Sequence, residues 1–403
     1  MKALALDRAR SRTAEKERAN RAARRAIARE SRRATRRRGK RPNLANGFTP
    51  DLLDGIWETV VAAADRLQTA IINLTTGEAL KKKPNKATHQ TKLRKAVMAG
   101  VAVMAAEADK VERDARHLGR ATATHIIDQA PKLPTDAQLR AARHMPKMPR
   151  NMELGTTVRT PKSLRQSVQD MAPTLYGTGS HLFDDIVNRI AAAPPESDTA
   201  RRRIAQQVLN EYKQRGITGF VDKAGRRWNM VSYVEMATRT AASELAARAH
   251  LDELQRAGID VVRYTVMPNC HPWCKPFQGR LLSITGMTRG TYHGEKIVCS
   301  VPEAIARGAR HPNCRHSFRA HLPGMTAPDP DTIDPGDYKA TQQLRALERE
   351  IRREKRTRDT ALTPEAQAAA NRNIQALQKQ VREHVARTGI PRNRWREQVA
   401  RAL

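Results

Sequence analysis

All four cysteines of the 403-residue chain, Cys270, Cys274, Cys299 and Cys314, fall in one window that ends at His316. His271, His293, His311 and His316 share it. A zinc ion takes four nitrogen or sulfur ligands in a tetrahedron, and short-spaced ligand pairs on tight turns supply them. Cys270 and Cys274 form one pair, spaced Cys-x3-Cys; His311 and Cys314 form the other, spaced His-x2-Cys. Pro272 and Pro312 stiffen the two turns. Three thiolates and a neutral imidazole leave no position for water. The expected centre is therefore a structural zinc held by Cys270, Cys274, His311 and Cys314. Cys299, His293 and His316 are alternative donors. Asn313 can hydrogen-bond its turn, and Arg315 points to an anion or a buried carboxylate.

Other chemistry competes for the same residues. Four reduced cysteines can fill a small core. A disulfide is the weaker reading, because the N-terminus has no apolar leader and a reducing cytoplasm is the expected site of synthesis. A metal-dependent nuclease of the His-Asn-His type would need a histidine base and an open metal position. His293, His311, Asn313 and His316 are the residues available for those roles, whereas Cys270, Cys274 and Cys314 favour a closed site. A Cys299–His293 nucleophile pair lacks an orienting third group. No GxxxxGK phosphate loop is present.

The elements around this window are mostly helical by pattern. Thr49-Pro50-Asp51 reads as a helix start, and Ile56, Val60, Leu67 and Ile71 follow on one face. After the Lys81-Lys82-Lys83-Pro84 break, Leu93, Val97, Val101, Met104 and Val111 keep helical register. Residues 130–180 are irregular, with a second start at Thr160-Pro161 before Leu164. Phe183, Val187 and Ile190 mark one further helix; Ile204, Val208 and Tyr212 mark another. Gly219–Trp228 reads as a β-hairpin. A long helix spans about Ser232 to Ala257, closed by Gly258, and Ile259–Val266 alternates as a strand leading to Cys270. In the tail, Leu344, Leu347 and Ile351 share a face, as do Ile374, Leu377, Val381 and Val385, with Thr363-Pro364-Glu365 restarting the helix between them.

The expected fold class is α+β, predominantly α-helical. The expected division is a basic arm (1–48), a helical region with irregular segments (49–180), an α+β domain carrying the Cys/His site (181–322), a Pro/Asp linker (323–337) and a helical hairpin tail (338–403).

Charge narrows the partners. The formal net charge is +33, with 74 Lys and Arg against 41 Asp and Glu. A surplus of that size repels itself unless a polyanion neutralises it, and nucleic acid is the first such partner. Residues 1–42 carry 17 Lys and Arg against 4 Asp and Glu. Arg24, Arg25, Arg32, Arg33, Arg36, Arg37, Arg38, Lys40 and Arg41 are the expected contacts to double-stranded DNA, made to phosphates without sequence preference. The most apolar stretch, Ala96 to Ala106, is about half the length a membrane span requires, so no membrane partner is expected.

Several segments together resemble the phage minor capsid protein 2 family, among the phage head morphogenesis proteins. They are Tyr233 to Thr240 with Arg239-Thr240, Gly258-Ile259-Asp260-Val261-Val262, Cys270-His271-Pro272-Trp273-Cys274 and Gln278-Gly279-Arg280. Glu303-Ala304-Ile305-Ala306-Arg307-Gly308 and His311-Pro312-Asn313-Cys314-Arg315-His316-Ser317 complete the set, over about residues 215–325. Related head proteins have Cys-x2-Cys where this chain has Cys-x3-Cys. The resemblance implies a minor structural protein, not an enzyme, inside a tailed-phage head. Its implied partners are the portal protein, the major capsid protein or other head proteins, and packaged DNA. Its implied roles are head assembly or genome delivery.

Overall fold

Two long helices carry the apolar stripes that organise the chain. The computed structural model describes residues 53, 55–129, 163–192, 197–215, 219–221, 227–322 and 338–399. Helix α1 is Glu58–Ala79 and α2 is Lys86–Gln129. Val60, Leu67 and Ile71 of α1 and Leu93, Val97, Val101, Met104 and Val111 of α2 are all buried, in one core cluster. Such a stripe recurs every three to four residues because one face of each helix must leave water. The helix start expected at Thr49-Pro50 lies outside the described residues, and the described helix opens at Glu58. Short α3 (Leu164–Gln169) and α4 (Ala172–Ala192) pack on this pair. Phe183 and Ile186 of α4 then meet Val208 and Leu209 of α5 (Asp198–Arg215) in a second cluster.

Strands β1 (Gly219–Val221) and β2 (Arg227–Asn229) pair antiparallel, as the hairpin reading expects. Helix α6 (Met230–Arg256) follows at once. Its start falls before Ser232 because the Asn229 side chain caps it, accepting from Val231 N at 3.1 Å and Ser232 N at 3.3 Å. Gly258, at φ +80°, ends it, with Ile259 N donating to Leu254 O at 2.9 Å. Helices α2 and α6 lie together at Gly119, where a Cβ would overlap the Ala246 carbonyl oxygen.

The sheet positions the Cys/His window. Strands β3 (Val261–Tyr264), β4 (Leu281–Ser283), β5 (Thr291–Tyr292), β6 (Glu295–Ser300) and β7 (Phe318–Ala320) stand in the order β5-β6-β4-β3-β7. All pairings are antiparallel except β4 with β6, which is parallel. The crossover that returns the chain from β6 to β7 begins with α7 (Val301–Ala306), opened by a reciprocal Ser300–Glu303 capping box. Asp260 is buried and accepts from Ser283, Thr285 and Thr288, fixing the loop after β4. The core cluster of α1 and α2 continues through α6 into this sheet.

The tail forms the expected helical hairpin, α8 (Tyr338–Asp359) and α9 (Pro364–Thr388), closed over Leu344, Ile351 and Val381. Thr363 caps α9, accepting from Ala366 N at 3.2 Å. Buried ion pairs tie the hairpin to the body: Arg352 Nη2 to Glu235 Oε2 at 2.8 Å and Arg356 Nη1 to Asp65 Oδ1 at 2.9 Å. Trp395 meets Trp57 edge-on at 5.0 Å. The fold is α+β and predominantly helical, as expected from the sequence. The basic arm, with all nine of its named DNA contacts, and the 323–337 linker lie outside the described residues. Among the described residues no helix is long and apolar enough to cross a membrane.

Candidate metal centre

The window contains the same four-residue turn twice, His271-Pro272-Trp273-Cys274 and His311-Pro312-Asn313-Cys314. In each copy the cysteine N–H donates to the histidine carbonyl, Cys274 N to His271 O at 2.9 Å and Cys314 N to His311 O at 2.9 Å. Sheet pairing brings the two copies together. The first follows β3 and the second precedes β7, and these strands are neighbours, with Tyr264 opposite Phe318. Thr265 N extends the ladder to Ser317 O at 3.0 Å. Asn269, Arg310 and Asn313 take positive φ (57°, 60° and 62°), bending the chain sharply at both turns. The Arg310 guanidinium is buried and grips Ser243 O at 2.7 Å and Ser243 Oγ at 3.0 Å, tying the second turn to α6. Asn313 N donates to Thr240 Oγ1 at 3.1 Å on the same helix.

Inside the paired turns, Cys274 Sγ and Cys314 Sγ are 3.7 Å apart, and His316 Nδ1 is 3.5 Å from Cys314 Sγ. Cys274, Cys314 and His316 are all buried, with one donor atom from each within 4.8 Å of the others. Among the described residues no other three His, Cys, Asp or Glu converge in this way. The group can hold a metal ion. His316 Nε2 lies 3.0 Å from Gln278 Oε1, a contact that orients the ring with Nδ1 towards the sulfurs. The Tyr264 ring stacks on His316 at 4.8 Å, and its hydroxyl donates to Cys274 Sγ at 3.4 Å.

The electrostatics favour one thiolate. The hydrogen bond shared with Cys274 lowers the pKa of Cys314; burial opposes this, while His316 and the Arg310 guanidinium assist it. The net result holds Cys314 well below the usual thiol range. That hydrogen bond and burial push Cys274 up, and burial pushes Tyr264 up. Two buried sulfurs and an imidazole nitrogen form a soft donor set.

The expected ligands divide. The structure brings Cys274 and Cys314 together and joins to them His316, named above as an alternative. Cys270 is half-buried beside them, its sulfur 3.3 Å from His271 O, and burial followed by Cys314 pushes its thiol up. His311 faces outward: its Nδ1 is 2.8 Å from its own Pro312 carbonyl and its ring packs on His271 at 4.4 Å. Cys299 sits on β6, raised by burial, with Arg307 as its neighbour. His293 occupies the β5–β6 turn against Tyr292. The residues weighed for a nuclease are therefore split between that turn, the outer surface and the buried Gln278 contact. Sequence reasoning missed Tyr264 and Arg310, and met Gln278 only within the family-like segment Gln278-Gly279-Arg280. The repeated His-Pro-x-Cys is the signal that pairs the turns; nothing local marks Tyr264 or Arg310.

A family model described as Phage minor capsid protein 2 matches residues 49–386. No curated protein and no solved structure matches the chain.

Proposed function

This chain belongs to the phage minor capsid protein 2 family, and from that premise we propose that it acts as a non-enzymatic structural protein at the portal, inside the head. There it binds packaged double-stranded DNA without sequence preference and assists head assembly or genome delivery. The observation that carries this reading is the net charge of +33, with 17 of the 74 cations in the first 42 residues. Packaged DNA supplies the phosphates that such a surplus needs. The major capsid protein and the portal are the protein partners this position implies.

The Cys/His knot serves the same role by making one end of the sheet rigid. We assign it a structural zinc. Around a tetrahedral zinc, with Zn–S about 2.3 Å and Zn–N about 2.0–2.1 Å, two sulfurs lie about 3.8 Å apart and a sulfur and a nitrogen about 3.6 Å. The corresponding separations here, 3.7 and 3.5 Å, support that assignment. Cys274, Cys314 and His316 would hold the ion, and the neighbouring thiol of Cys270 would close the fourth position. Bound zinc supplies cross-linking and no open coordination site. An asymmetric reconstruction of the particle tests the reading: density for this chain at the portal vertex is expected, and density only on the outer capsid face overturns it.

A further inference from the structure

The most apolar stretch of the sequence, Ala96 to Ala106, lies within α2, and the core uses only one side of it. Val97, Val101, Met104 and Ala105 are buried. On the opposite side every exposed position from 98 to 106 is apolar: Met98, Ala99, Ala102, Val103 and Ala106. Met98 is 59% exposed and Val103 51%. Helical spacing joins the five into one continuous face, because residues three and four apart are neighbours. In a chain with 29% charged residues, an outer helix face of this kind marks a surface for association.

Both ends of the face are positive. Lys95 stands three positions before Met98, Lys110 four after Ala106, and Arg113 three beyond that, so the same spacing brings all three into line with it. All three are exposed, and none makes a hydrogen bond or ion pair with the rest of the chain. Asp109, three positions after Ala106, is already paired with Arg165 of α3. The ends therefore call for anions and the middle for an apolar surface. Duplex DNA satisfies only the ends, since its phosphates would lie over five side chains that hold no donor. A second copy sets like charges together, Lys95 on Lys95 in parallel or Lys95 on Lys110 in antiparallel order. The chain's own residues 130–162 carry 7 Lys and Arg against 2 Asp and Glu, so they too repel the ends.

We propose that the outer face of α2 docks an amphipathic helix of another protein. Its apolar side lies on Met98, Ala102, Val103 and Ala106, and its carboxylates meet Lys95 at one end and Lys110 and Arg113 at the other. Lys95 and Lys110 are about 22 Å apart along the helix, so the carboxylates stand about four turns apart. This surface is separate from the basic arm and from the Cys/His knot, and it does not rest on a position inside the head. The test titrates the full chain against a synthetic helical peptide, read by fluorescence anisotropy; one side of the peptide is Leu and Ala, with Glu at both ends of that side. Ala102→Glu is expected to weaken binding by at least about tenfold, because it buries an unpaired carboxylate. Ala368→Glu, an exposed position on α9, changes the net charge equally and should bind as the parent does. Lys95→Gln/Lys110→Gln should weaken binding more than Arg372→Gln/Arg382→Gln, the matched pair on the exposed side of α9. Unchanged circular dichroism excludes misfolding as the cause. Equal affinity in Ala102→Glu and Ala368→Glu, or equal losses in the two glutamine pairs, overturns the proposal. So does a dimer in sedimentation that Ala102→Glu dissolves, which would make the face a self-contact. Binding to phosphatidylglycerol vesicles that Ala102→Glu abolishes, without peptide binding, overturns it in favour of a lipid surface.

Discussion

Glu235→Gln should release the C-terminal hairpin without unfolding the body. Glu235 sits on α6 with its side chain 11% exposed, and it receives Arg352 at 2.8 Å and Arg239 at 2.7 Å, with Arg396 at 3.9 Å. Arg239 has a second resting place, over the face of Trp57 at 4.4 Å. Arg352 has less freedom: its side chain is 8% exposed, and its remaining partner is the Arg396 carbonyl at 2.5 Å. Removing one member of a buried pair costs about 3–5 kcal/mol, because the other charge stays buried without compensation. The amide of glutamine still accepts one hydrogen bond, which puts the expected loss near the low end, about 3 kcal/mol. At tenfold per 1.4 kcal/mol, that is roughly a hundredfold increase in hairpin opening. Native-state hydrogen exchange reads it directly as lost protection of α8 amides, with the amides of α2 unchanged. The double variant Glu235→Leu/Arg352→Met should recover most of the protection, since an apolar pair of similar volume replaces the ions at little cost. Burial alone would raise the Glu235 carboxyl; Arg352, Arg239 and Arg396 outweigh it and hold the group below the ordinary range. Because the folded value is depressed, the stabilisation is complete above the ordinary glutamate value of about 4.3 and is lost as pH falls through the folded value. Unchanged α8 protection in Glu235→Gln, or strictly additive losses in the double variant, would refute the account.

Three further outcomes are expected. Cys274→Ser, Cys314→Ser and His316→Ala should each lose bound zinc and melt lower, while His311→Ala keeps its metal; at free zinc a thousandfold above Kd, binding contributes about 4 kcal/mol. Metal analysis and melting with and without chelator check this, and no change in any of these variants removes the zinc assignment. Deleting residues 1–42 should leave the sheet and its melting intact but weaken duplex binding and flatten its dependence on salt, because up to seventeen cations are removed; equal affinity at matched salt counts against the arm. Gly119→Ala should destabilise by at least about 1–3 kcal/mol, the usual cost of overpacking, because backbone rather than a yielding side chain meets the new methyl at Ala246. Thermal unfolding measures it, and a neutral result would mean that α2 and α6 are less closely packed there.

Helices were the most legible part of the sequence because their signal is local. Leu93, Val97, Val101, Met104 and Val111 announce a buried stripe within nineteen residues, and burial of all five follows from that spacing. Thr363 and Pro364 likewise mark the start of α9 with no help from the rest of the fold. The docking of the tail was not legible. Arg352 and Glu235 are separated by 117 positions, and nothing near either residue predicts the other. The candidate site falls between these cases. Its cysteines were visible as a cluster, and spacing alone favoured His311, which stands in the expected position relative to Cys314. What favours His316 in the structure is tertiary: the Tyr264 ring that stacks on it and the Gln278 oxygen that orients it, 52 and 38 positions earlier.

The sheet also decides how much the metal must do. Small zinc modules depend on the ion for folding because no preformed site exists without it. Here both turns are the direct extensions of paired strands. Thr265 and Ser317 exchange hydrogen bonds at 3.0 and 2.8 Å just before the sulfurs meet, and Arg310 pins the second turn to α6. Less chain entropy would remain for a bound zinc to remove, so more of its binding energy would appear as affinity. The metal-free chain should accordingly keep β3 and β7 paired and lose order at residues 269–274 and 310–316, where the positive-φ residues Asn269, Arg310 and Asn313 hold bends that thiolate ligation would stabilise. The outward rings of His271, Trp273 and His311 ride on those same bends. Loss of a bound zinc would therefore disorder these outward rings before it reached the core, and the buried knot and the outer surface would respond to chelation as one element.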